Sequence, residues 1–164
     1  MSDVIADIIR REGGFVNHTA DKGGATKFGI TQATLAAYRK VSTSIEDVRE
    51  LSEMEARQIY ETLYVRKPNF DQINNERLKN LVVDCGVNHG VSRAAKFLQK
   101  AIGVTVDGVC GPVTIGEVNL WKPRLVYNKV LAQRIKFYGK LISRKPSQAV
   151  FAEGWMNRVA EFLE

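Results

Sequence analysis

Arg11-Glu12-Gly13-Gly14-Phe15-Val16-Asn17-His18-Thr19-Ala20-Asp21-Lys22-Gly23-Gly24-Ala25-Thr26-Lys27-Phe28-Gly29-Ile30-Thr31 places Glu12, Asp21 and Thr26 among five glycines. Upstream, Val4, Ile5, Ile8 and Ile9 fall on one helical face, so Asp3 to Arg11 predicts a helix, and Gly13-Gly14 supplies the left-handed residue that ends it. Glu12 therefore sits at a helix C-terminus. The run Asp21-Lys22-Gly23-Gly24 reads as a tight turn, flanked by Phe15-Val16 on one side and Thr26, Phe28 and Ile30 on the other. A short hairpin of this kind folds back over the helix end and brings Asp21 and Thr26 toward Glu12 across a groove.

A carboxylate at a helix C-terminus faces the negative end of the macrodipole, which favours its protonated form, as does shielding by Phe15 or Phe28. Arg10 and Arg11 pull the other way, and the sign of the sum stays open. Glycoside hydrolysis needs a protonated carboxyl on the leaving oxygen and a second carboxylate that activates water or attacks the sugar. Glu12 and Asp21 are candidates for that pair, with Thr26 as a hydroxyl that orients the water. The bland readings are a solvated helix-end glutamate, an Asx-type turn residue at Asp21 and a strand position filled by Thr26.

Glu12-Gly13-Gly14-Phe15-Val16-Asn17, Asp21, Gly23-Gly24, Thr26 and Phe28-Gly29-Ile30-Thr31 resemble the signature of the glycoside hydrolase family 108 muramidases, found in phage endolysins and bacterial cell-wall hydrolases. The resemblance implies a mainly α, lysozyme-like fold, a helical bundle with a small β-hairpin excursion near the N-terminus. It also implies Glu12 as catalytic acid. The Glu, Asp, Thr order is similar to the catalytic triad of phage-type lysozymes, which assigns the attacking water to Asp21 and Thr26. Lys22 stands where proline is expected, and Val65 where family members often carry tryptophan.

The 164 residues suffice for one good core or two small lobes. A net charge of +6 favours polyanionic partners without selecting one. Cys85 and Cys110 read as free thiols, since two cysteines make no disulfide framework. The first eleven residues contain acidic side chains and too short an apolar core for a signal peptide, and no later run reaches membrane-spanning length. We therefore expect synthesis in the cytoplasm without a signal peptide, action in the periplasm or cell wall after release, and no integral membrane segment. With only His18 and His89 and no ligand-spaced cluster, no metal and no cofactor are expected.

Further along, Thr31 predicts a helix cap with Ile30 and Leu35 as a hydrophobic staple, and Ser44 opens a short helix. Ser52-Glu53-Met54-Glu55 reads as a capping box for a helix reaching Val65 and ended by Pro68. Tyr60 and Tyr64, one turn apart, share a face; they are either packed tyrosines or stacking platforms for a pyranose. Their spacing resembles the family, and Tyr64 is the better candidate. Leu78, Leu81, Val82 and Cys85 mark a buried central helix from Asn75 to Asn88 with Gly90 as its stop. Asp84-Cys85-Gly86-Val87-Asn88-His89-Gly90 resembles the family's Asp-x-x-Val-Asn-x-Gly motif, with His89 in place of a small hydroxyl residue. Asn88 is read as touching substrate or tying the hairpin down.

Ser92 is expected to cap a helix to Ile102. The stretch from Leu98-Gln99 through Asp107-Gly108-Val109-Cys110-Gly111-Pro112 to Thr114 resembles a peptidoglycan-binding module. A long amphipathic helix follows Pro123. Gly154-Trp155-Met156-Asn157-Arg158 resembles the family's closing motif. These readings divide the chain into a catalytic muramidase lobe at 1–90 and a helical C-terminal lobe at 91–164 packed on it.

The expected function is hydrolysis of the bond between N-acetylmuramic acid and N-acetylglucosamine by a monomer. The partner is the peptidoglycan glycan strand, not nucleic acid. One rival reading takes Gly29 to Lys40 as the recognition helix of a basic helix-turn-helix DNA-binding protein. Its weakness is that a glycine-rich excursion, not a short link from a helix, precedes it. A third reading is a wall-binding protein without catalysis.

Overall fold

A computed structural model describes residues 3–17 and 24–163. The chain forms two compact units, Met1–Lys67 and Pro68–Glu164.

In the first unit, helix α1 runs Val4–Glu12, one residue further than the sequence predicts, so that Glu12 is its last residue. Asp3 caps it by accepting from the Ile5 and Ala6 amides, and Ile5, Ile8 and Ile9 are its buried face. Gly13 ends it at φ 75° with its N–H on the Ile9 carbonyl. That is the left-handed stop expected of the glycine pair.

Val16 and Thr26 then pair antiparallel, exchanging N–H···O bonds of 2.8 and 2.9 Å. Their pairing brings together the two flanks of the expected Asp21-Gly24 turn; Asp21, Lys22 and Gly23 themselves lie outside the described residues. A second, tighter hairpin was not expected. Strands β1 (Thr26–Lys27) and β2 (Ile30–Thr31) pair with Thr26 opposite Thr31 and Lys27 opposite Ile30. Phe28 and Gly29 form the two-residue loop, both at positive φ (53° and 74°). Such a turn normally announces itself as Asn-Gly or Asp-Gly, and a phenylalanine in its first position reads as strand instead.

Helix α2 (Gln32–Arg39) starts at a Thr31 cap and is entered directly from β2, so the helix-turn-helix reading lacks the preceding helix it requires. The staple residues Ile30 and Leu35 are both buried. Helix α3 (Ile45–Arg49) carries a complete capping box between Ser44 and Asp47. At α4 (Glu53–Tyr60) the expected box is only half formed: Ser52 accepts from the Glu55 amide, but the Glu55 carboxylate receives the Arg39 guanidinium through two 2.8 Å bonds. An available arginine outcompetes a backbone amide for that carboxylate. Helix α4 does not continue regularly to Val65. It widens into a π-helical turn at Glu61–Arg66, a local distortion that side-chain periodicity does not reveal.

The second unit begins with a 3₁₀ turn at Phe70–Gln72 and continues through α5 (Glu76–His89), α6 (Val91–Ile102), α7 (Pro112–Leu120) and α8 (Pro123–Arg144). A 3₁₀ segment at Pro146–Phe151 leads into α9 (Ala152–Ala160). Helices α5, α6 and α8 pack on one another around Leu78, Leu81, Val82, Leu98, Val126 and Val130, all buried. The cap of α6 is Gly90, not Ser92, because the chain turns back into helix immediately at the α5 stop.

Inside this core Asp84 is wholly buried. It pairs with the equally buried Arg134 at 2.7 Å and with Arg158 of α9. The two motifs that resemble family signatures, 74 residues apart, thus meet as one ion cluster. Gln99 is the hub of the Asp107-Gly108 loop. Its amide nitrogen donates to Asp107 Oδ1 (2.7 Å), the Val109 carbonyl (3.0 Å) and Thr114 Oγ1 (3.2 Å), and its oxygen accepts the Gly108 N–H at 2.9 Å. Cys85 and Cys110 are free and buried, and burial pushes both thiols up to about 12.

Of the chain's 24 Lys and Arg, 14 lie in the second unit with 8 of its 18 acidic residues. The whole net charge of +6 therefore belongs to Pro68–Glu164, and Met1–Lys67 is balanced. Among the described residues no helix is long and apolar enough to cross a membrane.

Candidate active site

Glu12 is exposed at the end of α1, beside the Phe28-Gly29 turn. The turn is tied to the helix end because the Phe28 N–H donates to the Gly13 carbonyl at 3.0 Å. Gly29 is where the glutamate and the turn come closest. A Cβ built on Gly29 would lie 2.9 Å from Glu12 Cγ, 3.0 Å from Glu12 Oε2 and 2.6 Å from the Tyr60 hydroxyl. Only a residue without a side chain allows that approach, and the φ of 74° independently favours glycine.

The Tyr60 hydroxyl donates to the Phe28 carbonyl at 2.8 Å, and Tyr60 is only 3% exposed. Its position is therefore behind the turn, where it holds the peptide of a residue in a sparsely populated backbone conformation. Strain held in place by surrounding contacts is a common property of functional sites. Tyr64 lies on the π-helical turn, half-buried, with its ring 5.5 Å from that of Tyr60. Of the pair it is Tyr64 that offers ring surface, and Tyr60 that is packed. Burial first, then the negative charge of Glu12, raises the acidity constants of both hydroxyls, so each remains a protonated donor around neutral pH.

Glu12, Tyr60 and Tyr64 are thus brought together around Gly29. Thr26 stands at the start of β1, half-buried, with its hydroxyl 3.4 Å from the Gly24 carbonyl. Asp21, the expected second carboxylate, lies outside the described residues. Asn88 belongs to the second unit, where it is exposed and donates to the Asp84 carbonyl at 2.8 Å. The sequence reading overlooked Gly29 as the contact surface for Glu12 and the Tyr60 hydroxyl as the support of the turn. Both were present in the quoted motifs, but a glycine's role as a surface appears only when a side chain lies against it.

The family described as glycosyl hydrolase 108 matches residues 5–90, and one described as a predicted peptidoglycan domain matches residues 93–160. The second of these begins after α5, whereas the compact units divide between Lys67 and Pro68. No curated protein matches the chain. The chain is similar to a solved structure titled "Structure of Brucella abortus SagA", at 31% identity and a TM-score of 0.80, over 97% of this chain and 88% of that one. A family match over more than half the chain, the intact Glu12-Gly13-Gly14 motif and this lysozyme-like neighbour lead to one conclusion: the chain belongs to glycosyl hydrolase family 108 and is a peptidoglycan hydrolase.

Proposed function

We propose that the chain is an N-acetylmuramidase that cleaves the β-1,4 bond between N-acetylmuramic acid and N-acetylglucosamine. The observation that carries this reading is the Glu12 carboxyl set against Gly29 beside two protonated tyrosines. In this role Glu12 protonates the leaving oxygen. Asp21 and Thr26 hold the attacking water on the opposite face of the sugar, which makes the reaction inverting. The Tyr64 ring stacks on a pyranose, and Asn88 contacts the glycan. We assign catalysis to residues 1–90 and wall attachment to 91–164, in a monomer that serves a phage or prophage in host lysis and does not use nucleic acid as a partner.

The test is digestion of purified peptidoglycan, followed by reduction and mass spectrometry of the new ends. Reduced muramic acid is expected; reduced glucosamine or new amino termini would overturn the proposal. Glu12→Gln is expected to fold normally and lose two to four orders of magnitude of activity, roughly the contribution of general acid catalysis. More than a tenth of wild-type turnover in that variant would remove Glu12 from the acid role.

A further inference from the structure

The second unit contains a cavity of about 360 Å³ that no step of the proposed hydrolysis uses. Arg77 and Arg124 line it, Asn75 and Asn128 add amide donors, and among the described residues lining it none is acidic. The nearby Glu76 is paired with Lys79 at 2.6 Å. Arg77 lies with its guanidinium over the ring of Tyr127, 4.8 Å from the centroid. Tyr127 is itself fixed, buried and donating its hydroxyl to the Phe162 carbonyl at 2.6 Å. A stacked guanidinium has a set plane, which suits two-point recognition of a carboxylate. The first turns of α5 and α8 also border the cavity, through Asn75 and Arg77 and through Pro123 and Arg124, and their positive ends reinforce the sign of the field.

Leu131, Phe162 and Leu163 supply an apolar wall. The volume is near the lower limit for small-molecule sites, which span about 300–1,000 Å³. It has room for the end of a short chain, not for an extended glycan. The combination calls for a ligand with one carboxylate and a small alkyl body. A phosphate polymer offers repeated charges with no apolar part to meet the wall.

We propose that this cavity binds the free carboxylate end of a wall stem peptide, so that the basic unit reads peptide while the other unit acts on glycan. This rests on the reading of the substrate as peptidoglycan. The test is titration of the full chain with N-acetyl-D-alanyl-D-alanine and with its C-terminal amide, followed by NMR or calorimetry. The acid is expected to bind and the amide to bind roughly ten- to a hundred-fold more weakly, the range of a lost charge-assisted hydrogen bond. Arg124→Gln is expected to weaken the acid by a similar factor. Arg77→Lys, which keeps the charge and loses the fork, should fall between wild type and Arg77→Gln. Equal binding of acid and amide, no binding of either, or insensitivity to both arginines would overturn the proposal. The wall digest keeps the two ideas apart. Muramic acid ends with no preference for the peptide acid would sink the pocket alone; arginine-dependent peptide binding without muramic acid ends would sink the muramidase alone.

Discussion

The two units treat a carboxylate in opposite ways. In the charge-balanced first unit Glu12 is left exposed at a helix end, against a bare glycine and a strained turn. In the basic second unit Asp84 is enclosed entirely, between Arg134 and Arg158. Both residues belong to glycine-containing motifs near the ends of helices, and in sequence either could pass for a catalytic acid. Their surroundings separate them. A carboxylate fixed between two guanidiniums is held ionised and cannot reach a substrate, so Asp84 serves the fold. One left in the open, with protonated hydroxyls nearby, can give up a proton to a substrate oxygen.

The largest stability effect should come from the enclosed carboxylate. Asp84→Ala leaves Arg134 buried without its counter-charge, and breaking a buried pair in this way costs about 3–5 kcal/mol. Trp121 and Trp155, the chain's two tryptophans, both lie in the second unit, so denaturant unfolding followed by tryptophan fluorescence reports there directly. A loss below about 1 kcal/mol would mean that the cluster is not what holds α5, α8 and α9 together.

Gly29→Ala should do the reverse, sparing the tryptophan signal and damaging turnover. The added methyl would meet the Tyr60 hydroxyl at 2.6 Å and the Glu12 side chain at about 3 Å. Displacing a reacting group by an ångström can cost about a hundred-fold in rate. The left-handed backbone adds a strain of roughly 1–2 kcal/mol. Wild-type turnover in this variant would separate Glu12 from the turn.

A smaller change is expected of Tyr64→Ala. Stacking acts on bound and transition states alike, so the Michaelis constant should rise with little loss of turnover at saturation. An unchanged Michaelis constant with a collapsed Tm would make Tyr64 a core residue.

The smallest effect concerns His89, whose ring lies against Phe97, Phe137 and Tyr138 at centroid distances of 6.0, 5.2 and 5.1 Å. Burial first, then the positive charges of Arg134 and Arg93, pulls its imidazole down to about 3. The unfolded chain takes up this proton near pH 6.5, the folded chain only near 3, so stability is full above about pH 6.5 and falls steadily as pH drops through that window. His89→Leu should therefore show a shallower decline of Tm between pH 7 and 4. Parallel declines would mean that His89 is protonated in the folded state.

Much of the helical framework was legible because caps and stops are local. Asp3, Thr31, Ser44, Asn75, Gly13 and Gly103 each act within a few residues of themselves. The site was legible only as a set of residue types. Phe28 does not look like a turn residue, and its conformation is sustained by a tyrosine 32 positions away. The π-helical turn that carries Tyr64 leaves no mark on apolar spacing. Nor could Glu55 be seen to favour Arg39 over the helix cap, since that choice depends on where another helix brings its guanidinium.

Gln99 has a consequence for how this chain can change over evolutionary time. Its amide presents donors to Asp107, Val109 and Thr114 and an acceptor to Gly108, where a Cβ would come within 2.4 Å of Ser92 Oγ. Glutamate would lose the donors, lysine the acceptor and methionine both. The glutamine, the aspartate, the glycine and the threonine therefore behave as a single inherited character spread over sixteen positions, from 99 to 114. Drift at any one of them is penalised until another answers it, so the loop is expected to be exchanged between lineages whole or not at all.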